Sequence, residues 1–354
     1  MNKKNSTPVK VKEDEQQLSL ALSFFKLPAE SEHVNFFDSF EALPLFTSPK
    51  HHLIKRGDNN LAQFILKETD FNKLSCFLKI QPATLVDPQN KESQKSFFPY
   101  TAEAKIKSAI FKIASETINL ELGEEGRVTL LTSINKISNV LQKANGTKKS
   151  PYNHTQIKHS LNCLTDTRYE LVSEDARQET IKFSIFENFK STKIKGNTTI
   201  SITFNEFISK SILATTWRRI NFPCLVRSQN PEMLSIYTLL YSRWTFANMN
   251  QSFNIKYSTL KKRTSIKQYS RERDTMNALE SILELMKDII SRVERVNLVY
   301  DVDKNSGRKN LVDFTFHLFA TESFINEQIS NNAHHKALDK SMNTEPNRLN
   351  YLNE

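Results

Sequence analysis

Between Lys256 and Arg273, seven basic residues (Lys256, Lys261, Lys262, Arg263, Lys267, Arg271, Arg273) stand against one acidic residue, Glu272. Cations at that density bind polyanions, because each one that meets a phosphate releases condensed counterions. Tyr257, Gln268 and Tyr269 lie among the charges and can stack or hydrogen-bond. Arg271 and Arg273 can fork onto O6 and N7 of guanine, whereas Lys261, Lys262 and Lys267 suit phosphates. Arg308, just after Ser306-Gly307, adds a cation at the tip of a predicted hairpin. A second set, His154, Thr155, Gln156, Lys158 and His159, shares the solvent side of a short predicted helix.

Constellations for catalysis do not emerge from the pattern. His51-His52 and His334-His335 are adjacent pairs, which on a strand face opposite ways and cannot share a metal. His154 and His159 are five apart, which is not a ligand spacing on one helical face. With six glycines in the chain there is neither G-x-x-x-x-G-K-S/T nor G-x-G-x-x-G to cradle phosphate. Cys76, Cys163 and Cys224 are far apart and odd in number, as suits reduced thiols. The expectation is a binding protein, with no enzymatic activity, cofactor or metal.

The elements that must position these residues follow from periodicity. Thr101 begins a helix with Ile106, Ala109, Ile110 and Ile113 on one buried face. Val128 to Leu131 suits a strand, and Thr132 or Ser133 starts a second helix with Ile134, Ile137, Val140 and Leu141 inward. After the loop Asn145 to Pro151, Asn153 caps a third helix, with Gln156 in the capping-box position and Ile157, Leu161 and Leu164 inward. Arg168–Val172 and Glu179–Ile185 form a predicted hairpin, read as a wing. Thr198 to Phe204 is another strand, Asn205 to Leu213 a short helix, and Trp217 to Leu225 the junction between halves.

The second half repeats this logic. Asn230 caps a helix with Pro231 at its first position and Met233, Leu234, Tyr237, Leu240, Tyr241 and Trp244 buried. Phe253–Lys256 is strand-like and Tyr257–Lys262 a short helix. A long helix is expected from Ser270 to Val293, buried through Met276, Leu279, Ile282, Leu283, Met286, Ile289 and Ile290. Val296–Asp301 and Leu311–Phe319 are strands around a second wing tip, with Val312, Phe314, Phe316 and Leu318 on one side. Upstream, Leu18 to Phe46 is a phenylalanine-rich arm expected to pack on its own domain. Leu61–Glu68 and Leu74–Ile80 are two strands, and Asp87–Lys95 a polar loop.

The whole chain of 354 residues carries a formal charge of +10, with 38% hydrophobic and 25% charged residues. Its pI near 9.3 favours nucleic acid before anionic membrane. No run nears the roughly 18 apolar residues of a membrane span, and the polar N-terminus reads as no export signal, so a cytoplasmic protein is expected. The fold class expected is α+β: two winged-helix domains in tandem, each a helix-turn-helix plus β-wing, with an N-terminal arm. The divisions are a flexible tail (1–17), the arm and first winged helix (18–222), the second (223–327) and a flexible C-terminal tail (328–354).

Between about Leu20 and Phe319 the chain resembles bacterial plasmid replication initiators of the Rep type. The resemblance rests on Phe97-Phe98-Pro99-Tyr100-Thr101 leading into the helix Lys105–Ala114, on Val128 to Leu141 followed by Gln156–Leu161, and on Phe204 with Ile208–Ile212. Thr101-Ala102-Glu103-Ala104 departs from the Gly/Ser-Arg-Glu-Glu run of such proteins. The resemblance implies binding of double-stranded DNA at repeats in a plasmid origin, local duplex opening, and recruitment of a host replication initiator and replicative helicase. It also implies a homodimer that represses its own promoter. A winged-helix transcriptional repressor or plasmid partition protein is the rival class.

Overall fold

The computed structural model describes residues 25–28, 31–37, 43–46, 54–56, 63–71, 74–86, 94–116, 120–123, 126–173, 180–194, 197–214, 217–228, 231–264, 266, 269–302 and 309–344. Its class is mixed α+β.

Helix α1 (Thr101–Glu116) is the core element. The periodicity predicts one buried face, yet every residue from Ile106 to Ser115 is buried. Two of its polar groups turn back onto the backbone: Ser108 Oγ donates to the Ala104 carbonyl at 2.9 Å and Ser115 Oγ to Phe111 at 2.7 Å. Lys112 Nζ donates to the carbonyls of Ser31 and His33 and pairs with Glu116 at 2.9 Å. Those carbonyls flank strand β1 (His33–Phe37), which pairs antiparallel with β13 (Trp217–Asn221), Asn35 opposite Arg219. The phenylalanine-rich arm therefore packs on its own chain. Phe25 and Phe37 stack at 6.1 Å, and Phe37 meets Phe111 of α1 edge-on at 5.2 Å. Phe24 and Phe40 lie outside the described residues. The expected junction is thus woven into the body, as β13 and the short α5 (Phe222–Arg227).

A five-stranded sheet is built from β2 (Ile54–Arg56), β3 (Gln63–Phe71), β4 (Leu74–Gln81), β9 (Arg168–Ser173) and β10 (Thr180–Phe183). Its strand order is β10-β9-β4-β3-β2. The predicted hairpin exists, with Thr180 opposite Val172, but β9 also pairs with β4, Leu171 opposite Leu78. It is not a projecting wing, because its first strand is interior. Beside this sheet sits a hairpin of β5 (Ala83–Val86) and β6 (Gln94–Phe97).

A separate four-stranded sheet contains β7 (Leu120–Leu122), β8 (Val128–Ser133), β11 (Phe186–Ile194) and β12 (Asn197–Phe204), in the order β11-β12-β8-β7. Strand β11 escapes the sequence pattern; it pairs with β12 along its length and buries Phe186. Between β8 and β9 come α2 (Ile134–Asn145) and α3 (His154–Asp166). Ser133 caps α2, accepting from Lys136 N, and Gly146 ends it at φ 68, a left-handed turn that glycine takes without strain. Helix α4 (Glu206–Leu213), capped by Asn205, buries Ile208 and Ile212 beside Ile200, Ile202 and Phe204.

Helix α6 (Pro231–Arg243) is enclosed nearly all round. Then follow β14 (Phe253–Lys256), α7 (Tyr257–Arg263), α8 (Glu272–Leu285), β15 (Ile290–Val302) and β16 (Lys309–Ala320), with strand order β14-β16-β15. The long helix expected to Val293 stops at Leu285. A turn in which Met286 O accepts from Ile289 N and Ile290 N sends the β-branched run 289–296 into a strand. Phe314, Phe316 and Leu318 are buried as expected, whereas Val312 is 43% exposed. The reason is a register shift beyond Val296, where Asn297 sits at φ 50 and the hairpin leaves the body.

The expected flexible tail from 328 is instead largely helix α9 (Glu322–Thr344), which buries Gln328 and Asn331. Its polarity hid it, because past Phe324 and Ile325 the positions it buries are the polar Gln328 and Asn331. No helix among the described residues is long and apolar enough to cross a membrane.

Candidate nucleic-acid interface

Helix α3 presents the first candidate surface. Asn153 Oδ1 accepts from Gln156 N and Gln156 Oε1 from Asn153 N, both at 2.9 Å, closing the predicted capping box. Ile157, Leu161 and Leu164 are fully buried, and Ser160 Oγ donates to Glu103 Oε1 at 2.6 Å. The other carboxylate oxygen, Glu103 Oε2, accepts from Tyr100 N at 2.9 Å. Glu103, in the run that departs from the Rep pattern, thereby fixes α3 to the start of α1. His154, Thr155, Gln156, Lys158 and Asn162 are left exposed. His159 differs from expectation: it is half-buried, its ring edge-on to Phe97 at 4.5 Å. Gln156 is exposed but occupied by the cap. Lys148 and Lys149, within the predicted loop Asn145 to Pro151, are exposed in the turn before α3, where Gln142 Nε2 and Thr147 Oγ1 donate to their carbonyls.

The second surface gathers around α7 and α8. Asp313 of β16 caps α7 from a distance of 55 residues, accepting from Ser258 N at 3.1 Å and Ser258 Oγ at 2.8 Å. Glu272, the first residue of α8, accepts from Lys261 Nζ at 2.6 Å and Tyr257 Oη at 2.7 Å. Burial alone would raise the Glu272 carboxyl, but those hydrogen bonds hold it below the usual carboxylate range. The Tyr257 hydroxyl is pushed up by burial and by the Glu272 carboxylate.

The basic cluster is consequently less open than the sequence suggests. Lys261 is bound to Glu272, and Lys262 and Arg263 are half-buried and engaged within the protein. Lys256, Arg271 and Arg273 are exposed, as is Tyr269, at 40%. Lys267, Gln268 and Arg308 lie outside the described residues. Arg271 occupies the N-cap of α8 without any side-chain cap bond. Arg271 and Arg273 alternate there with Glu272 and Asp274, whose charges suit the helix dipole. Arg292, missed by sequence reasoning because it was placed in a helix, is exposed on β15, over the Phe319 ring at 3.9 Å.

The histidine pair and the cysteines, which the sequence did not offer as sites, have these surroundings. His334 and His335 lie on a helix rather than a strand, against Trp217 at 5.4 and 6.3 Å. Among the described residues no group of three or more His, Cys, Asp or Glu is placed to hold a metal ion. The thiols of Cys163 and Cys224 are pushed up to about 12 by burial and by nearby carboxylates.

No protein-family model matches the chain. No curated protein matches it either. Among solved structures it is similar to a crystal structure of domains 2 and 3 of RctB, at 10% identity and TM-score 0.44, over 78% of this chain and 95% of that one. Another structure of RctB domains 2–3 has 9% identity and TM-score 0.41, over 81% and 98%. The Pi initiator protein in complex with iteron DNA has 17% identity and TM-score 0.40, over 63% and 94%.

Proposed function

We propose that this chain is a sequence-reading, double-stranded-DNA-binding replication initiator of the plasmid Rep type, built on two winged-helix units. The observation that carries the reading is a repeated chain order. Helix, strand, helix, helix and hairpin occur as α1-β8-α2-α3-β11-β12 and again as α6-β14-α7-α8-β15-β16. In each, a strand between the first two helices pairs with the second strand of the hairpin: β8, which also carries the extra strand β7 on its other edge, with β12, and β14 with β16. That is the connectivity that presents a third helix to a major groove and a hairpin beside it. Here β9 and β10 are an insertion between the first third helix and its wing.

In this reading α3 offers Lys158, Thr155 and His154 to DNA, with Lys148 and Lys149 on phosphate. Helix α8 offers Arg271 and Arg273 at its N-terminus. The sequence resemblance supplies the ligand class, repeats in a plasmid origin, and the further steps of duplex opening and engagement of a host initiator and helicase. The chain works by binding, without catalysis, in the cytoplasm.

The test is titration of the full chain against the repeats flanking its gene. With six to ten phosphates contacted, affinity should fall on the order of 10³-fold between about 50 and 200 mM salt. A flat response would overturn the DNA reading. Replication of an origin-only plasmid when the chain is supplied in trans separates an initiator from a repressor or partition protein, which would bind and leave the plasmid unreplicated.

A further inference from the structure

Helix α9 leaves the second unit and ends against the ribbon that covers the first. Its start packs on α6, where Phe324 meets Tyr241 edge-on at 5.0 Å and Trp244 at 5.3 Å. Three turns later it lies on β13. Asn331 Nδ2 donates to the Arg219 carbonyl at 2.9 Å, and Arg219 Nη2 lies 3.1 and 3.3 Å from the ring nitrogens of His334. His334 also rests against Trp217. Asn332 joins both ends of the strap, donating to Thr245 O at 2.6 Å and accepting from Arg218 at 3.5 Å. Because β13 pairs with β1, and Phe37 of β1 packs on α1, these contacts tie α9 to the helix at the centre of the first unit.

The strap is poorly satisfied. Gln328 is 1% exposed, with neither its Nε2 nor its Oε1 hydrogen-bonded, and Trp217 Nε1 and Arg219 Nε are buried in the same state. A buried polar group without a partner weakens the contact it sits in, so the seat on β13 contributes less than its hydrogen bonds alone would give. Phe324 and Glu327, the latter accepting from Tyr241 Oη and from Asn221 Nδ2 at 3.5 Å, hold one end of α9, and an incompletely bonded polar set holds the other.

We propose that the seat of α9 on β13, through Asn331 and His334, sets the register between the two DNA-reading units and so selects the spacing of the DNA segments they bind. This rests on the DNA-binding reading above. Asn331 and His334 act as positioning residues, remote from the candidate DNA surfaces. Seated, α9 adds a second tie to the packing of α6 on α1, and the units bind as one rigid reader; unseated, they are held by the α6–α1 packing alone, which tolerates a wider range of spacings.

The experiment compares the full chain with the Asn331→Ala/His334→Ala variant on the native repeat and on duplexes lengthened between the two contacted segments by about 2–5 base pairs. The wild type should lose on the order of 100-fold on the lengthened duplexes, and the variant no more than about 5-fold. Hydrogen exchange over 325–337 reports whether α9 is released, and thermal unfolding whether the body stays folded. Gln328→Leu works in the opposite direction: it removes two unpaired polar atoms, so it should slow exchange in α9 and keep the spacing penalty. A variant with α9 released and the wild-type spacing penalty intact overturns the proposal, as does one whose α9 stays protected. If the wild type binds no duplex, the DNA reading fails instead. The strap is then judged by the distance distribution between spin labels at the exposed positions Asn139 of α2 and Ser281 of α8. That distribution should be narrow in the wild type and broad in the double variant; equal widths overturn it.

Discussion

Arg295 of β15 forks onto Glu280 of α8: Nε meets Oε1 at 2.8 Å and Nη2 meets Oε2, while Nη2 also donates to Asn277 Oδ1 at 3.0 Å. The guanidinium lies 5.0 Å from the centroid of the Phe314 ring. A bidentate, stacked arginine holds one geometry, so the projecting hairpin is braced to the helix beside it. A double-mutant cycle of Arg295→Ala and Glu280→Ala in urea unfolding should give a coupling of roughly 0.5–3 kcal/mol. Additive effects would show that the fork contributes nothing.

Gln156 and Lys158 are both exposed on α3, but they should part company on substitution. Gln156→Ala opens the capping box and should cost about 0.5–2 kcal/mol of stability. Lys158→Ala should leave the melting temperature in place, weaken DNA binding across all sequences and reduce the salt slope by about one. The reverse pattern would mean that Gln156, not the lysine, meets DNA.

Among the basic residues around α8, geometry separates contacts from braces. Arg271→Ala and Arg273→Ala should each relax discrimination between bases, by about 1–3 kcal/mol for a bidentate contact. Lys261→Ala should act chiefly on the fold, since Lys261 is held by Glu272. A salt slope that falls as much for Lys261→Ala as for Arg273→Ala would place Lys261 on phosphate.

His334 makes the docking of α9 pH-dependent. Its imidazole is lowered from 6.5 to about 4 by burial, by Arg219 of β13 and by His335 on its own helix. His33 of β1, nearby, is lowered too, by burial and by Arg219 and Lys112, against an opposing pull from Glu327. The docked ring refuses a proton that the released ring accepts. Docking is therefore strongest above pH 6.5 and is lost progressively as the pH falls towards about 4. Protection over 325–337, taken relative to the intrinsic exchange rates, should fall between about pH 7 and pH 5, and His334→Ala should flatten that dependence. An equal loss of protection in both proteins would assign it to other groups.

Local chemistry made much of this legible. Ser133, Asn153 with Gln156, Asn205 and Gly146 each state a helix boundary through their own immediate neighbours, and all stand where expected. Partners distant in sequence were not legible. Leu171 fits a wing equally well until Leu78, about ninety residues away, claims its free edge. Ile289, Ile290 and Val293 keep helical spacing after Leu285, and only the turn from Met286 to Ile289 reveals that Ile290 and Val293 belong to a strand. The basic cluster was visible as charge, but not the commitment of Lys261 to Glu272 across eleven residues.

The enclosure of α1 has a consequence for synthesis. Its walls come from both directions along the chain: residues 31–37 before it, and α5 and α6 well after it. Roughly 130 residues separate the end of α1 from the end of α6, so at about 5–20 residues per second α1 waits on the order of ten seconds for its last wall. During that interval the side of α1 formed by Ala104, Ser108 and Phe111, which meets Leu225, Pro231 and Leu234, lacks part of its cover, although Phe37 and Phe204 already pack on Phe111. That apolar side of α1 therefore stays open to water until translation has passed well into the second unit.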